Sequence, residues 1–310
     1  AFVAADMANH DSWVEFRRLF DEVYSHRDRT GTDWETRFDD ATSWILSSPS
    51  PTEWAARASI LVAPANDPHL RFRIPGEGGY SMHARHPEKN WNWRFVRRAF
   101  PHLEDPVPDI VTGRRGDLAY LAIASWSLSN EGLQAAHDAI AEITTNTTAL
   151  ILDVRMNGGG SETQAREIAG WFLDETVPYA KHRFRDLDSP DGWGDTRTRF
   201  VRANPPERRY NGRVFVLQGE VCLSSNEAFL LMMRQAPRAT SLGATSGGSS
   251  ANPRAFSLAN GVIAIIPRWQ SLTLDEQSIE GVGIPPDIAV TGDFRNDDPV
   301  LNKALRLAYE

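Results

Sequence analysis

The sequence predicts an α/β core preceded by a helical N-terminal part. From about residue 109, short continuous apolar runs alternate with helical patterns, which is typical of buried parallel strands joined by helices. The first 65 residues instead carry apolar side chains at helical spacing. Of the 310 residues, 41% are hydrophobic and 24% are charged, as in ordinary globular proteins. These observations favour a globular chain with a helical start and a layered core.

The N-terminal part contains three predicted helices. They cover residues 11–26, 33–47 and 54–62. An irregular connecting segment over residues 66–108 follows, and it carries four of the eight histidines. Within it, the alternation of Trp91, Trp93 and Phe95 predicts a half-buried strand. We therefore divide the chain into a helical subdomain (1–65), a connecting segment (66–108) and a core (109–310).

The core contains the alternating elements. Strands are predicted at residues 118–123, 149–154, 214–217 and 239–242. Helices are predicted at residues 130–146, 161–173, 224–235 and 299–309. The Asn260-Gly261 pair, between two short apolar runs, predicts a β-hairpin.

Charge and composition exclude several classes of function. The net charge of −8 disfavours a nucleic-acid partner, because phosphate binding needs a positive excess. No apolar run reaches the length of a membrane span, and the first residues lack the pattern of a signal peptide. Cys222 is the only cysteine, so the compartment stays open. His83 and His86 have no accompanying third ligand, so neither a metal site nor a cofactor is expected.

Two short loops carry residues suited to chemistry. The first, residues 153–161, follows a predicted strand and holds three glycines before a helix, so its backbone N–H groups could bind a phosphate or an oxyanion. A tight strand-to-helix turn explains the same glycines. The second loop, residues 219–227, places Ser224 at the start of a helix, where a nucleophile or an ordinary N-cap could stand.

The motifs in these loops occur in a specific order. Asp-x-Arg-x-Asn-Gly-Gly-Gly is followed by Ser-x-x-Glu-x-Phe and then by Ile-Glu-Gly-Val-Gly-Ile-Pro-Pro-Asp-Ile, over residues 117–310. This order resembles the carboxy-terminal processing (tail-specific) serine peptidases and their tricorn-core relatives. The resemblance implies a ClpP/crotonase-like α/β core, with Ser224 as nucleophile. It also implies an oxyanion hole formed by the backbone N–H groups of Ser225 and Gly159.

The chain departs from the tail-specific branch at the general base. That branch uses a lysine about twenty-five residues after the serine, but this chain has Gly247-Gly248-Ser249 there, and its three lysines lie elsewhere in the sequence. The tricorn-like branch uses histidine and glutamate, and this resemblance implies His69 as base and Glu280 as its orienting acid. His83 and His86 compete for the first role, and Asp275 and Glu276 compete for the second.

Three further side chains have supporting roles in this interpretation. Asp153 and Arg155 are expected to brace the glycine loop, or to form a purely structural ion pair, and Glu227 is expected to anchor a turn near the site. Only 47 residues separate His69 from Asp117, too few for a PDZ domain.

The expected partner is therefore a peptide or small acyl substrate, cleaved without a cofactor. A homo-oligomer is compatible with the sequence. A non-catalytic ligand-binding relative and a crotonase-type acyl-CoA enzyme are the alternative functions.

Overall fold

The computed structural model describes the backbone of residues 2–310 and the side chains of residues 6–310. The chain forms two compact units, and neither is continuous in sequence. The first unit comprises Ala1–His86, His182–Arg197 and Ala251–Ser271, and the second comprises Pro87–Lys181, Thr198–Ser250 and Leu272–Glu310.

The described residues contain eight α-helices and fourteen strands. The helices are α1 (Phe2–Glu22), α2 (Trp34–Leu46), α3 (Pro51–Val62), α4 (Trp93–Ala99), α5 (Asn130–Thr144), α6 (Glu162–Ala169), α7 (Ser225–Met233) and α8 (Pro299–Tyr309). The strands are β1 (Arg71–Arg73), β2 (Gly79–Tyr80), β3 (Leu103–Val107), β4 (Ile110–Arg115), β5 (Leu118–Ile123), β6 (Ala149–Asp153), β7 (Val177–Phe184), β8 (Arg197–Val201), β9 (Arg213–Gln218), β10 (Ala239–Gly243), β11 (Arg254–Ser257), β12 (Ile263–Ile266), β13 (Trp269–Leu272) and β14 (Ile288–Ala289). No described helix is both long and apolar enough to span a membrane.

The first unit packs α1, α2 and α3 with a four-stranded antiparallel sheet in the order β11-β12-β1-β2. Its core is rich in aromatic rings. Phe20 and Trp34 lie 4.9 Å apart between ring centroids, and Phe16 lies 5.2 Å from Phe72. The three helices predicted for this part of the chain are confirmed.

The second unit is built on a seven-stranded sheet in the order β14-β10-β9-β6-β5-β4-β3. The strands from β5 to β14 in this sheet are parallel, and β3 and β4 are antiparallel to their neighbours. Alternate residues of β6 enter different apolar clusters: Leu150 and Leu152 join one, and Ala149 and Ile151 join the other. Both faces of the sheet are therefore covered, which explains why β5 and β6 read as continuous apolar runs. The α/β fold class is confirmed.

A third, three-stranded sheet has the order β13-β7-β8, and the chain passes between the two units within these strands.

The strand predicted around Trp91, Trp93 and Phe95 is wrong, because helix α4 starts there. Asn92 is its N-cap, and the side-chain oxygen of Asn92 accepts a hydrogen bond from the N–H of Arg94 at 3.1 Å. This capping bond favours a helix here, although the alternation of apolar residues in the sequence is typical of a strand.

Candidate active site

Ser224 occupies a turn between β9 and α7 in the second unit. Its φ is +56°, a conformation that is costly for a residue with a side chain, so the surrounding contacts must hold it. Its N–H donates to the carbonyl of Ser249 at 2.7 Å. Although Ser224 stands at the N-cap position, its side chain makes no capping hydrogen bond among the described residues. The Ser224 hydroxyl is therefore not used to cap α7.

Cys222, two residues before Ser224, is fully buried, and its side chain stabilises the turn. Its thiol donates to the carbonyl of Val154 at 3.2 Å, and burial raises the pKa of Cys222 to about 12. A thiol with that pKa is not a nucleophile at neutral pH. Ser224 is therefore the better candidate in this turn.

The glycine loop lies directly against Ser224. A side-chain carbon added to Gly159 would stand 2.8 Å from Cβ of Ser224, and Gly159 itself has φ +111°. Glycine is needed here both for the close approach and for the backbone conformation. The hydroxyl of Ser225 donates to the carbonyl of Gly160 at 2.6 Å. The structure thus brings together the two loops that the sequence singled out.

The two candidate oxyanion donors differ in their hydrogen bonding. The N–H of Ser225, at the first residue of α7, has no acceptor among the described residues. The N–H of Gly159 donates to Oδ1 of Asn157 at 2.8 Å. An oxyanion beside Ser224 would therefore find one donor unpaired and would share the other with Asn157.

Glu227 connects α7 to the segment 246–250. Its Oε1 accepts hydrogen bonds from the hydroxyl of Ser246 at 2.6 Å and from the N–H of Gly248 at 2.8 Å. Its Oε2 accepts from the N–H of Ser249 at 2.8 Å. Burial raises the pKa of Glu227 to about 7, although the three donors oppose this shift. Glu227 fixes the segment whose Ser249 carbonyl receives the N–H of Ser224.

Glu280 also binds the segment 246–250. It is 4% exposed, and its Oε2 accepts a hydrogen bond from the N–H of Ser250 at 3.0 Å. The carbonyl of Ser249 therefore accepts a hydrogen bond from Ser224, and the N–H of the next residue, Ser250, donates one to Glu280. The competing acids are both exposed, and Glu276 pairs with Lys181 at 2.8 Å. Glu280 is the buried acid of this stretch.

His69 lies in the first unit. Its N–H donates to Oδ1 of Asp67 at 2.8 Å, and its ring Nδ1 lies 3.9 Å from the same oxygen. Tyr24 donates its hydroxyl proton to the other oxygen of Asp67 at 3.0 Å. Burial lowers the pKa of His69; Asp67 opposes this shift and the nearby arginines add to it. The shift favours the neutral form of the imidazole. Sequence reasoning gave Asp67 no role, although its place two residues before the histidine was a signal.

His83 and His86, the competing histidines, lie in the same unit. His83 is half-buried and His86 is exposed. Among the side chains of residues 6–310, no group of three potential metal ligands includes either of them.

Asp153 and Arg155 belong to a buried ion-pair network. Burial alone would lower the pKa of Arg155, but Asp153 and Asp298 raise it above its ordinary value. The guanidinium donates to Asp153 at 2.7 Å, to Asp298 at 2.7 Å and to the carbonyl of Asn90 at 2.6 Å. Asp298 also caps α8 by accepting the N–H of Leu301 at 3.0 Å. The network joins the end of β6 to the start of α8, and sequence reasoning assigned no role to Asp298.

Comparisons with known proteins show the family and the fold. The sequence model of peptidase family S41 matches residues 117–290, more than half of the chain. Among solved structures, a candidate peptidase from Parabacteroides merdae ATCC 43184 has a TM-score of 0.82 at 22% identity, covering 98% of this chain and 97% of that one. The photosystem II D1 C-terminal processing protease has a TM-score of 0.58 at 14% identity, covering 99% and 97%. The tricorn protease has a TM-score of 0.60 at 10% identity, covering 98% of this chain and 37% of that one.

Proposed function

The chain belongs to peptidase family S41, a serine peptidase family, and we propose that it cleaves peptide bonds through Ser224, His69 and Glu280. Ser224 is the nucleophile in this proposal, His69 is the general base and Glu280 orients His69. The backbone N–H groups of Ser225 and Gly159 form the oxyanion hole. The proposed substrate is a peptide.

The proposed reaction follows the logic of a serine, a base and an orienting acid. Nε2 of His69 takes the hydroxyl proton of Ser224 as Oγ bonds to the scissile carbonyl carbon. The carbonyl oxygen becomes an oxyanion held by the two backbone N–H groups. The tetrahedral intermediate collapses, the C–N bond breaks, and His69 gives its proton to the leaving amine. Water, deprotonated by His69, then attacks the acyl-enzyme and releases the acid product with Ser224 restored.

The placement of Ser224 is the observation that carries the proposal. Its side chain makes no capping bond, its φ is +56°, and it lies against a glycine loop. Conformations of this kind cluster at functional sites, because a structure retains the strain only where other contacts over-determine it. The unpaired N–H of Ser225 supplies the donor that a developing oxyanion needs.

The surroundings of the segment 246–250 favour histidine over lysine as base. This segment holds the position where the tail-specific branch has its lysine, and here it contributes backbone groups to Ser224, Glu227 and Glu280. The neutral imidazole of His69 is in the protonation state that a general base requires.

Labelling with a fluorophosphonate tests the nucleophile. We expect the wild type to form a covalent adduct that mass spectrometry places on Ser224, and we expect Ser224→Ala to form none. Ser225→Ala is the matched control for the adjacent serine, and it should retain the adduct on Ser224. Equal labelling of the wild type and Ser224→Ala would refute the assignment.

Three histidine variants test the base. His69→Ala should lower the labelling rate on the order of a hundredfold or more, within the range for loss of a general base. His83→Ala and His86→Ala, compared side by side in the same assay, should react at the wild-type rate. A wild-type rate for His69→Ala together with loss in one of the others would move the role to that histidine.

A further inference from the structure

A groove in the second unit is separate from the residues assigned to the reaction. It has a volume of about 730 Å³ and lies between α6 and β8. Its lining residues are mostly polar or basic: Thr163, Arg166, Glu167, Thr176, Thr198, Arg199, Phe200, Arg202 and Asn204. Its size is within the range of natural ligand sites.

The groove carries an excess of positive charge. Arg199 is paired with Glu162 at 2.8 Å, but neither Arg166 nor Arg202 has a carboxylate within 4.0 Å among residues 6–310. Nε of Arg166 is buried and has no hydrogen-bond acceptor in that range. The lining also holds one acid, Glu167, which lies 3.7 Å from His137. Burial lowers the pKa of His137, which favours the neutral ring, so Glu167 offsets part of the positive charge of the lining. The charge of two arginines without a carboxylate partner favours an anionic group in the groove.

The wall formed by β8 suits an extended peptide. Among the residues that the structure describes, this strand is at the edge of its sheet, with β7 on one side and no strand on the other. Phe200 on β8 is 53% exposed and offers an apolar contact beside the arginines. Edge strands of this kind are recurrent docking places for peptide segments.

Helix α6 connects the glycine loop beside Ser224 to the groove. Helix α6 starts directly after the glycine loop, and Gly160 accepts a hydrogen bond from the hydroxyl of Ser225. Arg166 lies six residues after Gly160, on the order of 10 Å along the chain at about 1.5 Å per helical residue. An extended peptide advances about 3.3 Å per residue. A substrate that follows α6 away from Ser224 would therefore bring side chains three to five residues from the scissile bond to the level of Arg166.

From these observations we propose that the groove between α6 and β8 binds acidic residues of the peptide substrate, three to five positions from the cleaved bond. This inference rests on the proposed peptidase function. It names the substrate class: extended peptides that carry aspartate or glutamate beside a neutral cleavage segment.

A binding measurement tests the groove without requiring catalysis. The probes are two fluorescein-labelled twelve-residue peptides with the same neutral centre, one with Asp-Glu-Asp at each end and the other with Asn-Gln-Asn. Their affinity for Ser224→Ala is measured by fluorescence anisotropy. We expect the acidic peptide to bind about tenfold more tightly, and we expect added salt to reduce this preference. Equal affinities for the two peptides would overturn the proposal.

Substitution locates the binding. In the Ser224→Ala background, the pair Arg166→Gln and Arg202→Gln should abolish the tenfold preference and leave the neutral peptide's affinity unchanged. The pair Arg97→Gln and Arg98→Gln removes the same charge from exposed positions of α4 and should retain the preference. A loss in both double variants would show a general charge effect and would refute the groove. Failure of the peptidase function is read separately, from the absence of labelling at Ser224.

Discussion

Replacing Glu227 by glutamine tests how the segment 246–250 is held. Burial raises the pKa of Glu227 from its ordinary 4.5 to about 7, so the folded protein keeps a proton that the unfolded chain releases between these values. Stability of the wild type therefore falls as pH rises through this window, by about 3 kcal/mol at about 1.4 kcal/mol per pKa unit. Glutamine does not titrate, and its amide NH₂ cannot accept the N–H of Ser249, which costs about 1–3 kcal/mol. The free energy of unfolding of Glu227→Gln should thus be lower than that of the wild type by about 2 kcal/mol at pH 5, and the two should be nearly equal at pH 8.

Urea unfolding of Glu227→Gln and wild type at pH 5, 6, 7 and 8 measures this difference. Turnover should be lower in the variant at every pH, on the order of tenfold, because the Ser249 carbonyl that receives the N–H of Ser224 loses its support. A penalty that grows with pH would refute the reasoning, since it would mean that the three donors outweigh burial. Glu131→Gln, on the exposed first turn of α5, is the matched control and should show no pH-dependent difference.

Three other substitutions or profiles follow from the geometry. Arg155→Met should lower the free energy of unfolding by about 3–5 kcal/mol in urea, because two buried carboxylates lose their cation, and a loss under about 1 kcal/mol would contradict the network. Gly159→Ala should cut the fluorophosphonate rate at Ser224 on the order of a hundredfold while circular dichroism stays native, and an unchanged rate would contradict the close approach. The labelling rate should begin to fall only below the pH range in which an ordinary imidazole titrates, since burial lowers the pKa of His69, and a fall above that range would contradict a neutral buried base.

The sequence predicted the parts of the fold that depend on local pattern. Strand β6 was found because both of its faces are covered, which makes its five residues uniformly apolar. Strands β7 and β8 were missed, since their burial is partial and β8 carries arginines. The sequence also could not predict which segments of the chain form the first unit. Residues 182–197 and 251–271 belong to it through contacts between distant parts of the chain, and no local periodicity records these contacts.

The candidate site divides in the same way. Motif order pointed to Ser224 and the glycine loop, and the structure places them in contact. The partners of Arg155 could be predicted only in part: Asp153 is two residues away, whereas Asp298 is separated from it by 143 positions. An ion pair with a distant residue leaves no trace in spacing, so the role of Asp298 needed coordinates.

The segment 246–250 contributes backbone groups to the candidate site. In the resembling tail-specific branch this stretch supplies a lysine, whereas here it supplies a carbonyl to Ser224 and an N–H to Glu280. Backbone groups can do this only if the segment is fixed, and the three hydrogen bonds to Glu227 fix it. A lysine restored in this segment would bring a long cationic side chain beside a buried glutamate that already has three donors. We therefore expect Ser249→Lys to leave labelling at Ser224 dependent on His69, and labelling that survives in the double variant with His69→Ala would show that the lysine alone suffices as base.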